Sequence, residues 1–163
     1  MKDLFIDFDG VIYNSIEISY KMAEEANINK DYESYYQFFK NLDWCQVLEE
    51  SCEINEAFNC IRKIIDSGKF NVFVLTHVIS LEEAELKIKL IKEKIRDITV
   101  IPVPKKLSKA EVVKVKGAIL VDDYPENLRQ WASAGGIGVR FDLDMDGKGF
   151  PVIDKLDKLI EMF

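Results

Sequence analysis

With 163 residues, 48% hydrophobic and 31% charged, the chain is sized for one globular domain with a real core and room for a small insertion. Its formal charge of −7 at pH 7 argues against a broad surface for a nucleic-acid polymer, yet is compatible with a phosphorylated small molecule neutralised locally by a metal and a lysine. No basic segment leads into a hydrophobic stretch and no run reaches transmembrane length, so neither a signal peptide nor a membrane partner is expected; Cys45, Cys52 and Cys60 match no zinc spacing and read as free, mostly buried thiols in a reducing cytosol, which makes the expected location cytoplasmic.

The chain opens on Leu4-Phe5-Ile6, an apolar run on both parities, which predicts a strand buried on both faces as in a parallel sheet. It ends in Asp7-Phe-Asp9-Gly10, two carboxylates two residues apart. In open α/β sheets ligands gather beyond the carboxyl ends of strands, and two carboxylates converging there repel unless a cation or proton lies between them. Residues 15–27 and 31–50 then read as helices, with Tyr32, Tyr35, Tyr36, Phe39, Leu42 and Val47 at roughly helical spacing. Together they form a small helical insertion after the first strand. Their aromatic stripe reads either as packing of a helical hairpin or as a stacking platform for a substrate ring such as a nucleobase.

A helix over 55–67 is followed by Gly68 at a position suited to a C-terminal cap. Residues 71–77 predict a second buried strand ending in Thr76-His77, and 81–95 an amphipathic helix whose charged faces read as solvated. A third strand over 98–103 is marked at its end by Pro102 and Pro104. Ser108-Lys109-Ala110-Glu111 has the form of a capping box opening a short helix through Val115. Ala118–Val121 is a fourth buried strand with Asp122-Asp123 at its end, Pro125 starts the next helix, 137–141 is a fifth strand, and 152–162 a closing helix. The alternation predicts an α/β fold, a Rossmann-like three-layer α/β/α parallel sheet with right-handed crossovers.

Such a sheet brings Asp7, Asp9, Thr76, His77, Asp122 and Asp123 to one edge, with Lys109 nearby. All-oxygen ligation of this kind suits Mg²⁺. The single histidine excludes a His-rich metal site. Asp142-Leu-Asp144-Met-Asp146-Gly147 imitates the start of a calcium loop, but its twelfth position is Ile153 instead of Glu, and a polar turn is the better reading.

The set Asp7-Phe-Asp9-Gly10-Val11, Leu75-Thr76, Lys109 and Val121-Asp122-Asp123 resembles, in order, the four motifs of the haloacid dehalogenase-like (HAD) phosphohydrolases. The resemblance implies a core of residues 1–13 and 53–163 and a small helical cap of residues 14–52. The Asp-Asp pair, the small cap and the stretch from Leu128-Arg-Gln-Trp131 to Gly135-Gly136 are similar to the 5′(3′)-deoxyribonucleotidase branch. It further implies Asp7 as nucleophile, forming an aspartyl-phosphate, and Asp9 as general acid and base. Mg²⁺ would be held by the Asp7 carboxylate, the Asp9 backbone carbonyl and Asp123. Asp122 would hold metal waters or Lys109, with the reverse assignment within the pair left open. Thr76, with the backbone N–H that follows it, and Lys109 would bind phosphate.

A side-chain contact from His77 to substrate is a minor alternative, and the neighbouring Lys105, Lys106, Lys114 and Lys116 read mostly as surface charges. The expected substrate is a small phosphorylated metabolite, a (deoxy)nucleoside monophosphate first, contacted by cap side chains such as Tyr13, Tyr20, Tyr36, Phe39 and Trp44. A sugar or other small-metabolite phosphate, a phosphoprotein, and a non-catalytic binding module that keeps the fold are the rival readings.

Overall fold

In the computed structural model, which describes residues 1–163, the sheet is built from six strands. They are β1 (Lys2–Ile6), β2 (Phe70–Val78), β3 (Thr99–Pro104), β4 (Ile119–Asp122), β5 (Ile137–Phe141) and β6 (Val152–Ile153). All pairings are parallel and the order is β3-β2-β1-β4-β5-β6. β1 is central because its side chains serve both faces. Leu4 and Ile6 enter a core of 21 buried residues, while Phe5 enters a second core of eight on the opposite face. The first is closed by α4 (Ala57–Asp66), Ile91 of α5 (Leu81–Lys94) and Leu159 of α7 (Leu159–Met162). The second is closed by Leu128 and Trp131 of α6 (Pro125–Ser133), whose indole N–H donates to the Ala118 carbonyl at 3.0 Å. These are the three layers expected. The chain crosses from one half of the sheet to the other between β3 and β4, so the crevice between the ends of β1 and β4 is the topological switch point where ligands gather.

Between β1 and α4 lie α1 (Ser15–Glu25), α2 (Tyr32–Lys40) and α3 (Trp44–Glu50). The single helix expected over 31–50 is two, because Asp43 caps α3 by accepting from the Gln46 N–H at 3.2 Å and so ends the run that began at Tyr32. Leu42, Trp44 and Val47 form a third, small core that Phe38, Phe39 and Leu86 of α5 pack against.

Several other expectations are corrected. Pro104 does mark the end of β3, while Pro102 lies within it, which is tolerable because β3 is an edge strand that pairs only with β2. The helix opened by the Ser108 capping box is one 3₁₀ turn, Lys109–Glu111, too short to bring a helix dipole to bear. The closing helix over 152–162 is instead β6, a 3₁₀ turn at Leu156–Lys158 and the single turn α7. All three cysteines are free, but only Cys60 is buried. The Asp142–Gly147 segment is a polar turn tied by Arg140 to Asp142 at 2.8 Å and by Lys148 to Asp146 at 2.5 Å. No helix is long and apolar enough to cross a membrane.

Candidate active site

β1 and β4 are in register, Ile6 beside Val121, and the Asp7 N–H donates to the Val121 carbonyl at 2.9 Å. The two acidic pairs therefore leave the sheet side by side. One carboxylate oxygen from each of Asp7, Asp122 and Asp123 lies within 4.8 Å of the others. Gly10 makes this approach sterically feasible. Its φ is +77°, and a Cβ there would stand 2.4 Å from Asp123 Oδ2.

The three carboxylates differ in what holds them. Asp122 is wholly buried and saturated. Lys109 Nζ and Asn127 Nδ2 donate to its Oδ2 at 2.7 and 2.9 Å, and the Tyr124 N–H donates to its Oδ1 at 2.9 Å. Asp7 accepts at Oδ1 from Lys109 Nζ at 2.7 Å and from the Phe8 N–H at 2.8 Å, and nothing donates to its Oδ2. Asp123 has a buried Oδ1 with no hydrogen-bond partner.

The charge balance follows from this geometry. Burial pushes the Asp7 carboxyl up to about 7, Lys109 opposes the rise, and Asp122 and Asp9 add to it. Burial, then Asp7 and Asp122, pushes Asp123 up to about 8. Burial alone would depress the Lys109 ammonium, but Asp122 and Asp7 outweigh it and hold it above its ordinary value. Two buried carboxylates and a half-buried one thus share one ammonium. An orphaned carboxylate oxygen, an undonated oxygen on Asp7 and an all-oxygen donor set fit a hard divalent cation.

Asp9 stands outside that triangle. Its Oδ1 accepts from Ser15 Oγ at 2.6 Å, and its Oδ2 accepts from Lys87 Nζ at 2.5 Å and from Thr76 Oγ1 at 3.4 Å. Thr76 is buried at the end of β2, so its hydroxyl is directed at this cluster and not at solvent. The His77 ring is fixed by a bond between its Nε2 and the Leu107 carbonyl at 2.8 Å, and the residue lines the hollow beside Asp9. Burial lowers its pKa to about 4, so the ring is neutral.

A hollow of about 200 Å³ opens on Asp9, walled by Ile16, Tyr20, Phe39, Trp44 and Ile79, with Lys105 on its lining. Phe39, Trp44 and Tyr20 are therefore placed beside the site. Tyr13 and Tyr36 are not. Tyr13 packs edge-on against Phe8 and Phe58 beside the large core, and Tyr36 stacks on Tyr32 and lines a separate surface hollow with Lys105 and Lys106.

Sequence reasoning missed Lys87 and Glu83. Both lie on α5, on a face read as solvated, and both are buried. Lys87 Nζ reaches Glu83 Oε1 at 2.6 Å and lies 4.8 Å from the centre of the Trp44 ring. Their i, i+4 spacing was a visible signal of an ion pair, but of its formation only, not of its burial.

No family model matches the sequence, and no curated protein does. Solved structures do match in fold over the whole chain. A HAD-superfamily hydrolase of subfamily IA from Geobacter sulfurreducens PCA superposes with a TM-score of 0.66 at 14% identity, covering 100% of both chains. A haloacid dehalogenase-like family hydrolase from Streptococcus pneumoniae gives 0.62 at 12% identity, covering 100% of this chain and 98% of that one. A D,D-heptose 1,7-bisphosphate phosphatase from B. bronchiseptica, complexed with magnesium and phosphate, gives 0.58 at 15% identity, covering 99% and 97%. Identities this low speak to architecture, and the architecture is consistent: the chain has the fold of the haloacid dehalogenase-like hydrolases.

Proposed function

We propose that the protein is a Mg²⁺-dependent phosphomonoester hydrolase that works through an aspartyl-phosphate on a small phosphorylated metabolite. The observation that carries this reading is the convergence of Asp7, Asp122 and Asp123 at the switch point, with one carboxylate oxygen orphaned and another free of donors. Asp7 and Asp123, with the Asp9 backbone carbonyl, would hold the ion. Bound there, it supplies charge neutralisation between the attacking carboxylate and the phosphate.

Asp7 is the attacking residue, and Lys109 fixes its Oδ1 so that attack comes from one direction. The phosphorus–oxygen bond to the leaving group breaks as the Asp7–phosphorus bond forms. Asp9 delivers a proton to the departing oxygen and then takes one from the water that hydrolyses the intermediate. Thr76 and Lys109 bind phosphate oxygens. Asp122 takes no part in the bonds that change, and its role is to seat Lys109.

The hollow beside Asp9 receives the leaving group. Its walls of Tyr20, Phe39 and Trp44 favour an aromatic ring, and a (deoxy)nucleoside monophosphate is the first candidate. A sugar phosphate is the second reading, in line with the substrate named for the B. bronchiseptica enzyme. The test is phosphate release from a panel of nucleotides, sugar phosphates and p-nitrophenyl phosphate, with Mg²⁺ and with EDTA. Mg²⁺-dependent release is expected, reduced at least about 10³-fold in Asp7→Asn. No metal-dependent release from any monoester overturns the reading.

A further inference from the structure

We propose that Lys87 is a positioning residue that holds the Asp9 carboxylate where it can exchange a proton with the leaving oxygen, and that Glu83 anchors Lys87 for this task. The proposal rests on the phosphatase reading above and adds to it a helix, α5, that carries none of the four motifs.

A wholly buried lysine is uncommon and is usually accounted for by its partners. Here the ammonium's partners are Asp9 Oδ2 at 2.5 Å, Glu83 Oε1 at 2.6 Å and the His77 carbonyl at 3.2 Å, with Thr76 Oγ1 at 3.4 Å. Glu83 is itself fixed to the backbone, since its Oε2 accepts the Ile79 N–H at 2.8 Å. A continuous chain of short contacts therefore runs from the start of α5 to the site. Ser15 Oγ grips the other Asp9 oxygen from α1 at 2.6 Å, so the carboxylate is held from two elements and cannot rotate without breaking a contact. Phe8 and Trp44 lie 5.4 and 4.8 Å from the ammonium and shield it from water.

Stability gives no reason for the arrangement. A buried ion pair replaced by apolar groups of similar size is often as stable or more so. A Lys87–Glu83 pair alone would also need no third group. What the third group gains is orientation. A proton donor displaced from the leaving oxygen loses most of its effect.

The test separates orientation from folding. A double variant, Glu83→Gln with Lys87→Met, removes both charges at nearly constant volume and strands neither. Its activity is compared with wild type on an alkyl phosphate, whose leaving oxygen needs a proton, and on p-nitrophenyl phosphate, whose leaving oxygen does not. The expected result, read as the single-turnover rate of leaving-group release so that the later hydrolysis Asp9 also serves does not enter, is a loss of about 10- to 100-fold on the alkyl phosphate and less than about 3-fold on p-nitrophenyl phosphate. Equal losses on both, or none on either, overturn the proposal. If the double variant does not fold, E83Q alone loosens the anchor, and the same selective loss is expected at about 3- to 10-fold; an unselective one overturns the proposal. A crystal structure of the variant decides the matter independently of turnover. An Asp9 carboxylate released from its place beside Thr76 supports the proposal, and one that has not moved overturns it. A wild-type protein inactive on every monoester would count against the phosphatase reading, while that structure would still judge the positioning role.

Discussion

Asp122 and Asp123 are neighbours with the same side chain, yet their surroundings give substitutions opposite signs. Asp122 accepts from Lys109, Asn127 and the Tyr124 N–H. Removing its charge leaves the buried Lys109 with one carboxylate, so Asp122→Asn is expected to lower stability by about 3 kcal/mol. Asp123 has an oxygen that nothing satisfies, in a cluster already short of positive charge. Asp123→Asn should therefore raise the melting temperature of metal-free protein while abolishing its stabilisation by Mg²⁺. Thermal unfolding of both variants with EDTA and with Mg²⁺ reads the difference, and a stabilising Asp122→Asn would contradict the partner assignment. Gly10→Ala acts on the same carboxylate by sterics. Its Cβ would overlap Asp123 Oδ2 and its φ of +77° is strained for alanine, so weaker Mg²⁺ binding and reduced activity are expected together, read by calorimetric Mg²⁺ titration.

At the scale of elements, what was legible in the sequence was whatever depended on one strand and its end. Apolar runs closed by Asp7-Phe-Asp9, Thr76 and Asp122-Asp123 identify buried strands and the edge they share, because strand burial is written in consecutive residues. Lys87 was illegible for the opposite reason. Its burial is set by Trp44 of α3 lying against it, a contact between helices 43 residues apart that no local pattern encodes. β6 escaped because two residues cannot establish a period. The aromatic run 32–39 was legible as a stripe but not as a destination. No residue of α2 is fully buried, Phe39 lines the hollow beside Asp9, and Tyr36 does not. Two substitutions therefore part company. Phe39→Ala is expected to raise KM several-fold, along with a lower melting temperature from its lost packing on Leu42, Trp44 and Val47. Tyr13→Ala removes a ring packed on Phe8 and Phe58 and should cost about 3 kcal/mol, with KM unchanged in the protein that remains folded. A Tyr13→Ala defect confined to KM would relocate that ring to the substrate.

Over the whole molecule, the acidic cluster makes stability depend on pH and on divalent cation jointly. Asp7 and Asp123 have folded pKa values near 7 and 8, above the unfolded value of 3.8, so the native state binds protons that the unfolded state has released. Stability from these two groups is complete below about pH 4 and is lost as pH rises through 7 and 8. His77 works the other way. Its pKa is about 4 folded and 6.5 unfolded, so its contribution is complete above pH 6.5 and is lost as pH falls toward 4. Between pH 4 and 6.5 the two effects oppose each other. From pH 6.5 to about 8 only the carboxyl effect remains among these groups, and the metal-free protein is expected to lose melting temperature across that window and level off above it. A cation seated among the carboxylates favours their ionised forms and binds only the folded chain, so Mg²⁺ should flatten the decline, with its largest stabilisation at the alkaline end. Asp123→Asn removes the group with the higher pKa and should show both a shallower decline and a smaller response to Mg²⁺. A metal-free protein whose melting temperature does not fall between pH 6.5 and about 8 would mean that the carboxylates are neutralised by protein groups alone, and that the site has no need of an ion.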